Sequence, residues 1–142
     1  MNVTLLLDNS AWARVADPAL EDKRAAELAG AVEDGRIAAC LPFLLEAGYS
    51  ARSARDHDQL LTDLNALPYY AIDEAVERRA LDAQAQLARI GHHRLPPVDL
   101  LVAALADRHQ LGVLHYDRDY DLIADKTDLG FASVWVAPAG TL

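Results

Sequence analysis

Carboxylates interrupt apolar sequence at four places in this chain of 142 residues, and each interruption could do chemistry. Leu5-Leu6-Leu7 runs straight into Asp8, followed by Asn9 and Ser10, both good helix N-caps. Glu46 is the only charged residue between Arg36 and Arg52. Asp99 follows Pro96-Pro97-Val98, which puts it in the first turn of a helix, where an acid suits the helix dipole. Val113-Leu114 leads through His115 and Tyr116 into Asp117, Asp119 and Asp121 at alternate positions. Singly, each acid has an ordinary explanation as a turn, a cap or a solvated face. Together they make two strand-end aspartates and two helix-borne acids. Neighbouring carboxylates repel unless something positive sits between them. An oxygen-only donor set without His or Cys selects a hard cation, Mg²⁺ or Mn²⁺, over zinc. The natural use of such a site is phosphoryl chemistry, with a polarised phosphate and an activated water.

Acids so far apart in sequence need an architecture that gathers them. In open α/β sheets, ligands bind at the carboxyl ends of the strands. The pattern predicts a strand over 3–7 and a short helix over 10–15, stopped by Asp17-Pro18. A helix over 20–34 ends at Gly35, and a strand follows over 36–40. Helices are expected over 43–52 and 56–66, with a brief third strand over 69–72. Asp73 caps a long helix whose Val76, Ala80, Ala83, Leu87 and Ile90 share one face, ending at Gly91. After a loop over 92–97, Val98, Leu101, Val102, Leu105 and Ala106 mark another apolar stripe, closed by Leu111-Gly112. Asp99 shares a face of that helix with Ala103 and Ala106, small residues that leave room beside the carboxylate. A fourth strand over 113–116, a short helix over 120–124 and a last strand over 132–136 complete the chain. Strands alternating with helices define the α/β class. The expectation is one domain over 1–142, a three-layer α/β/α sandwich around a mainly parallel sheet of four or five strands.

The composition, 52% hydrophobic and 25% charged, is that of an ordinary globular chain. The single cysteine, Cys40, excludes an intrachain disulfide and reads as a small buried apolar residue. A net charge of −9 argues against general affinity for nucleic acid, although a local basic rim or a bound cation reverses the sign where a phosphate docks. The N-terminal apolar run stops at Asp8 without a basic flank, too short for a signal peptide or membrane helix, so a cytoplasmic location is expected. His92-His93-Arg94 reads as an exposed basic loop, His115 as a structural histidine and Trp135 as core. Trp12 reads as an aromatic of the core or of a dimer interface.

Asp8-Asn9-Ser10, Glu46 in a proline-led helix, Pro97-Val98-Asp99 and the late run from His115 to Asp121 resemble the PIN-domain ribonucleases. More narrowly, the chain resembles the VapC toxins of bacterial type II toxin–antitoxin systems, over nearly its whole length. The resemblance implies a PIN-like fold and Mg²⁺- or Mn²⁺-dependent endonucleolytic cleavage of structured RNA, tRNA or rRNA. It also implies a homodimer and a VapB-like antitoxin that occludes the site. Carried over residue by residue, the catalytic and metal-binding acids are Asp8, Glu46, Asp99 and Asp117, with Asp119 a further candidate ligand and Ser10 supporting Asp8. If RNA binds, Arg14, Arg52, Arg55, Arg118, His92, His93 and Arg94 are the candidates for its backbone. Two other readings compete. One is a metal-dependent phosphatase or phosphoacceptor domain using Asp8 as a covalent acceptor. The other is a non-catalytic interaction protein with a vestigial acidic pocket.

Overall fold

A computed structural model describes residues 3–92 and 94–142. Four strands form one sheet: β1 (Leu5–Leu7), β2 (Ile37–Ala38), β3 (Gly112–His115) and β4 (Ala132–Trp135). Their order is β2-β1-β3-β4, and every pairing is parallel. Between β1 and β2 lie α1 (Asn9–Trp12) and α2 (Asp22–Glu33). Between β2 and β3 lie α3 (Leu41–Tyr49), α4 (Ala54–Leu64), α5 (Glu74–Arg89) and α6 (Pro97–His109). Helix α7 (Asp119–Lys126) joins β3 to β4.

The first crossover carries the chain from β1 to one side, and the second carries it back past β1 to β3. Parallel crossovers are right-handed, so two that run in opposite directions cover opposite faces of the sheet. That gives three layers, and it makes the β1/β3 boundary a topological switch point, where ligand sites form. Helix α6 lies against β1 and β3, with α5 and α7 packed on it. Its Leu100, Val102, Ala103, Ala104, Leu105 and Ala106 are all buried, and the alanines let its backbone lie close to the strands.

Local signals set most of the helix ends. Asp73 accepts the amide of Val76 at 2.9 Å and starts α5, as its sequence position predicts. Gly35 (φ 70) and Gly91 (φ 81) occupy the left-handed region that L side chains rarely adopt and close α2 and α5. Two expectations fail. Residues 69–72 form no strand; Tyr69 makes a single parallel bridge to Ala39, beside Pro68, which has no amide to extend a ladder. Nor does Gly112 stop α6. Gln110 takes the left-handed turn (φ 56), and Gly112 opens β3. A Cβ at 112 would stand 2.6 Å from Leu5 Cδ2 and 3.1 Å from the carbonyl oxygen of Ala132, so this glycine answers to crowding between strands.

A polar staple fastens the turn into β4. Arg79 on α5 donates to Asp107 Oδ2 (3.1 Å) and to Asp128 Oδ1 (3.0 Å), while Asp107 Oδ1 accepts the amide of Gly130 (2.7 Å).

Candidate active site

Asp8 is the first residue past β1, and its amide donates to Leu114 O at 3.0 Å, tying the ends of the two central strands. Its Oδ2 accepts the amide of Ser10 (3.0 Å) and the Ser10 hydroxyl (2.6 Å), which caps α1. The same hydroxyl accepts the amide of Tyr116 at 2.9 Å. Ser10 therefore holds together the turns that follow β1 and β3. Asp8 Oδ1 accepts the Tyr120 hydroxyl at 2.7 Å.

Asp99 sits in the first turn of α6 and is 8% exposed. Its Oδ1 lies 3.3 Å from the Tyr120 hydroxyl. Its Oδ2 has no hydrogen-bond partner, alone among the buried side-chain oxygens and nitrogens of the described residues. Oxygens of Asp99, Asp117 and Asp119 come within 4.8 Å of one another. The turn that presents the last two is locked locally, with Asp117 Oδ1 accepting the amide of Asp119 at 2.9 Å. Burial, reinforced by the charges of Asp8, Asp117 and Asp119, pushes the Asp99 carboxyl up to about 7. Asp119 is also held above the usual carboxylate range, by burial and then by Asp117.

His115 is wholly buried beneath this turn. Its Nδ1 accepts the Asp117 amide (3.1 Å), so the ring proton lies on Nε2, which donates to Ser133 Oγ (2.7 Å). Ser133 in turn donates to Asp121 Oδ1 (2.6 Å), and Trp135 Nε1 donates to Asp121 Oδ2 (2.9 Å). Burial lowers the pKa of the imidazole against the pull of Asp121, Asp8 and Asp117. With both nitrogens engaged and no exposure, His115 is structural. Asp121 is anchored across two elements, not part of a loose acidic turn. Trp135 is only half-buried, at the sheet edge, because its indole N–H needs that acid.

Two positions were open to Glu46, a compensated buried acid or a solvated helix face, and it takes the second. Helix α3 leaves it exposed, outside the close triad, although partial burial and the charge of Asp8 raise its pKa. Cys40, buried beside these acids, has its thiol pushed up to about 11, chiefly by burial, which makes it unreactive. Arg14 is held at the site's edge, donating to Ser10 O (2.9 Å) with its guanidinium 4.4 Å from the centre of the Tyr116 ring. Arg118 projects into solvent between Asp117 and Asp119; Arg52, Arg55, His92 and Arg94 are exposed elsewhere, and His93 lies outside the described residues. Tyr120 and Ser133 are contacts that sequence reading missed. The hints were an aromatic among the acids of the late motif, Tyr120, and a lone hydroxyl in an apolar strand, Ser133.

A divalent cation fits these residues. The donors are all carboxylate oxygens, three of them converge, and one buried oxygen has nothing else to bind. Parallel strands meeting at a switch point with acids at their carboxyl ends define the class: an α/β domain with a converging carboxylate cluster at its strand ends. Comparison with known proteins narrows it. The PIN domain family model matches residues 5–126. Ribonuclease VapC51 of Mycobacterium tuberculosis is 39% identical over 142 residues, covering all of this chain and 99% of that protein. Ribonuclease VapC18 of the same organism is 35% identical, covering 96% of this chain and 97% of that protein. The DNA-bound VapBC structure from Salmonella typhimurium shares the fold, with a TM-score of 0.73 at 16% identity, covering 95% of this chain and 99% of that one. The chain belongs to the PIN domain family, in its VapC branch.

Proposed function

We propose that this protein is the ribonuclease toxin of a type II toxin–antitoxin pair, cutting structured RNA such as tRNA or rRNA with Mg²⁺ or Mn²⁺. The observation that carries the reading is the converging triad Asp99, Asp117 and Asp119, with one Asp99 oxygen left unpartnered. Asp8 stands behind the triad and lends charge from the end of β1, and Glu46 on α3, near enough to Asp8 for their charges to interact, is the fourth acid of the set. When bound, a divalent cation polarises the scissile phosphate and lowers the pKa of a coordinated water. The chain's own part is positioning. Ser10 fixes Asp8, and the Asp117 turn rests on His115. Arg14 and Arg118 face the entering phosphate backbone, a local basic rim on an acidic protein. We read residues 1–142 as one nuclease domain, a reading supported by the amide of Leu142, which donates to the Tyr116 hydroxyl at 2.9 Å.

A covalent phosphoacceptor reading is disfavoured. Both oxygens of Asp8 already accept hydrogen bonds, and neither of the chain's two lysines, Lys23 on α2 and Lys126 at the end of α7, is among the side chains that bond it. A vestigial pocket is disfavoured too, because a buried unpartnered carboxylate oxygen costs about 1–3 kcal/mol without a ligand to offset it.

Partners follow from the same family. VapBC neighbours support an antitoxin, and a mostly apolar groove lined by Trp12, Leu28, Val32 and Leu64 suits an apolar segment of it. Leu41, Leu45 and Tyr49 form an exposed apolar row on α3, which supports a homodimer. No helix among the described residues is long and apolar enough to cross a membrane, and an RNA substrate suits the cytoplasm.

The test is to incubate the purified protein with tRNA and rRNA fragments plus Mg²⁺ or Mn²⁺, beside Asp99→Asn and an EDTA control. Cleavage in the presence of metal, lost in both controls, is the expected result. Cleavage that survives EDTA or Asp99→Asn refutes the metal reading, and phosphoryl transfer to Asp8 establishes the alternative.

A further inference from the structure

Tyr120 has no solvent exposure, yet its hydroxyl reaches two acids of the site. Phenylalanine would fill the same space with no polar atom to satisfy, so packing does not explain the hydroxyl. A phenol has one proton to give. The distances assign it to Asp8 Oδ1, at 2.7 Å against 3.3 Å for Asp99 Oδ1. Three donors then close on Asp8: the Ser10 amide, the Ser10 hydroxyl and the Tyr120 hydroxyl. Asp8 is left no rotational freedom, and the phenol oxygen stands between it and Asp99. The ring is seated on His115, 4.9 Å between centroids and 29° from parallel, the same imidazole that holds the Asp117 amide. Tyr120 also directly follows Asp119 at the start of α7. One side chain thus sets the acids of β1, α6 and the β3–α7 turn in register.

We propose that Tyr120 is a positioning residue of the acid site, whose hydroxyl fixes Asp8, separates it from Asp99, and so leaves one Asp99 oxygen free to bind a divalent cation with Asp117 and Asp119. This rests on the metal-dependent reading above. Without the donor, Asp8 and Asp99 face each other with nothing between them, and one must turn away. Groups that orient metal ligands typically matter 10- to 100-fold in metal affinity.

The test is direct Mn²⁺ titration of the whole protein, with free Mn²⁺ counted by electron paramagnetic resonance. Wild type, Tyr120→Phe, Asp8→Asn and the double variant are compared, each checked by circular dichroism and thermal melting. Tyr120→Phe is expected to keep a cooperative melt and to bind Mn²⁺ roughly 10- to 100-fold more weakly. In the Asp8→Asn background, where the one side-chain oxygen is claimed by the two Ser10 donors and the amide NH2 faces the phenol, the same substitution is expected to change affinity less than twofold. Wild-type protein that binds no Mn²⁺ overturns the metal reading itself. Wild-type affinity in Tyr120→Phe, or an equal loss in both backgrounds, overturns the role of Tyr120 alone. A Tyr120→Phe chain that no longer melts cooperatively assigns the hydroxyl to folding and overturns it as well.

Discussion

Asp99 makes the metal-free protein less stable as pH rises, and replacing it with asparagine reverses that trend. Its carboxyl titrates near 3.8 in the unfolded chain and is pushed up to about 7 in the folded one, first by burial and then by Asp8, Asp117 and Asp119. Between those two values the folded state keeps a proton that the unfolded state has released. Stability from this group is therefore complete below pH ~4 and lost as pH climbs to 7. The displacement corresponds to roughly 4 kcal/mol, or roughly 12 °C in melting temperature at about 3 °C per kcal/mol for a domain of this size. Asparagine does not titrate. Its amide adds a penalty of about 1–3 kcal/mol if left unpaired, but that penalty does not vary with pH. The assay is urea unfolding of wild type and Asp99→Asn in EDTA from pH 4.5 to 8.5. The difference in unfolding free energy is expected to move by up to roughly 4 kcal/mol toward the variant as pH rises. Millimolar Mg²⁺ or Mn²⁺ at pH 8 is expected to favour wild type again, by binding the ionised carboxylate. Parallel pH curves would refute both the burial argument and the convergence of the acids on Asp99.

Other consequences are smaller in scope. Ser10→Ala removes a 2.6 Å bond to Asp8 and orphans the Tyr116 amide; a loss of about 1–2 kcal/mol is expected in urea unfolding, with faster hydrogen exchange at Tyr116. Gly112→Ala drives a methyl group against Leu5 and the Ala132 carbonyl; the expected destabilisation is about 1–3 kcal/mol, and a neutral result would show that β3 and β4 can part freely. Arg79→Met leaves Asp107 without its cation and loosens the Asp128 turn; the Gly130 amide is expected to exchange faster, with little effect on metal binding. Mutating Glu46→Gln is expected to weaken RNA cleavage while leaving the metal-free melting temperature within about 2 °C, because an exposed side chain contributes little to stability.

Local physics was legible in the chain. The stops at Gly35 and Gly91, the cap at Asp73 and the apolar stripes of α5 and α6 are decided within a few residues, by allowed dihedral angles and by which face meets water. The same short range exposed the acids, because an aspartate ending an apolar strand stands out without knowledge of its neighbours. Misreadings fell where distant contacts overruled local signals. Gly112 looks like a helix stop, and only the approach of Leu5 and Ala132 reveals it as a strand glycine. Trp135 looks like core until the sheet edge and Asp121 claim its indole. Glu46 sits among apolar sequence neighbours, and only the facing of α3 decides between a buried acid and the solvated one it is. What tertiary structure alone decided is the site's company. Asp8 and Tyr120 are 112 residues apart and share a 2.7 Å hydrogen bond, because β1 and β3 are neighbours at the switch point. The sequence determined which residues carry charge and where strands and helices begin. The folded sheet determined which charges lose their water together, and a carboxylate's pKa and its appetite for a cation depend on that.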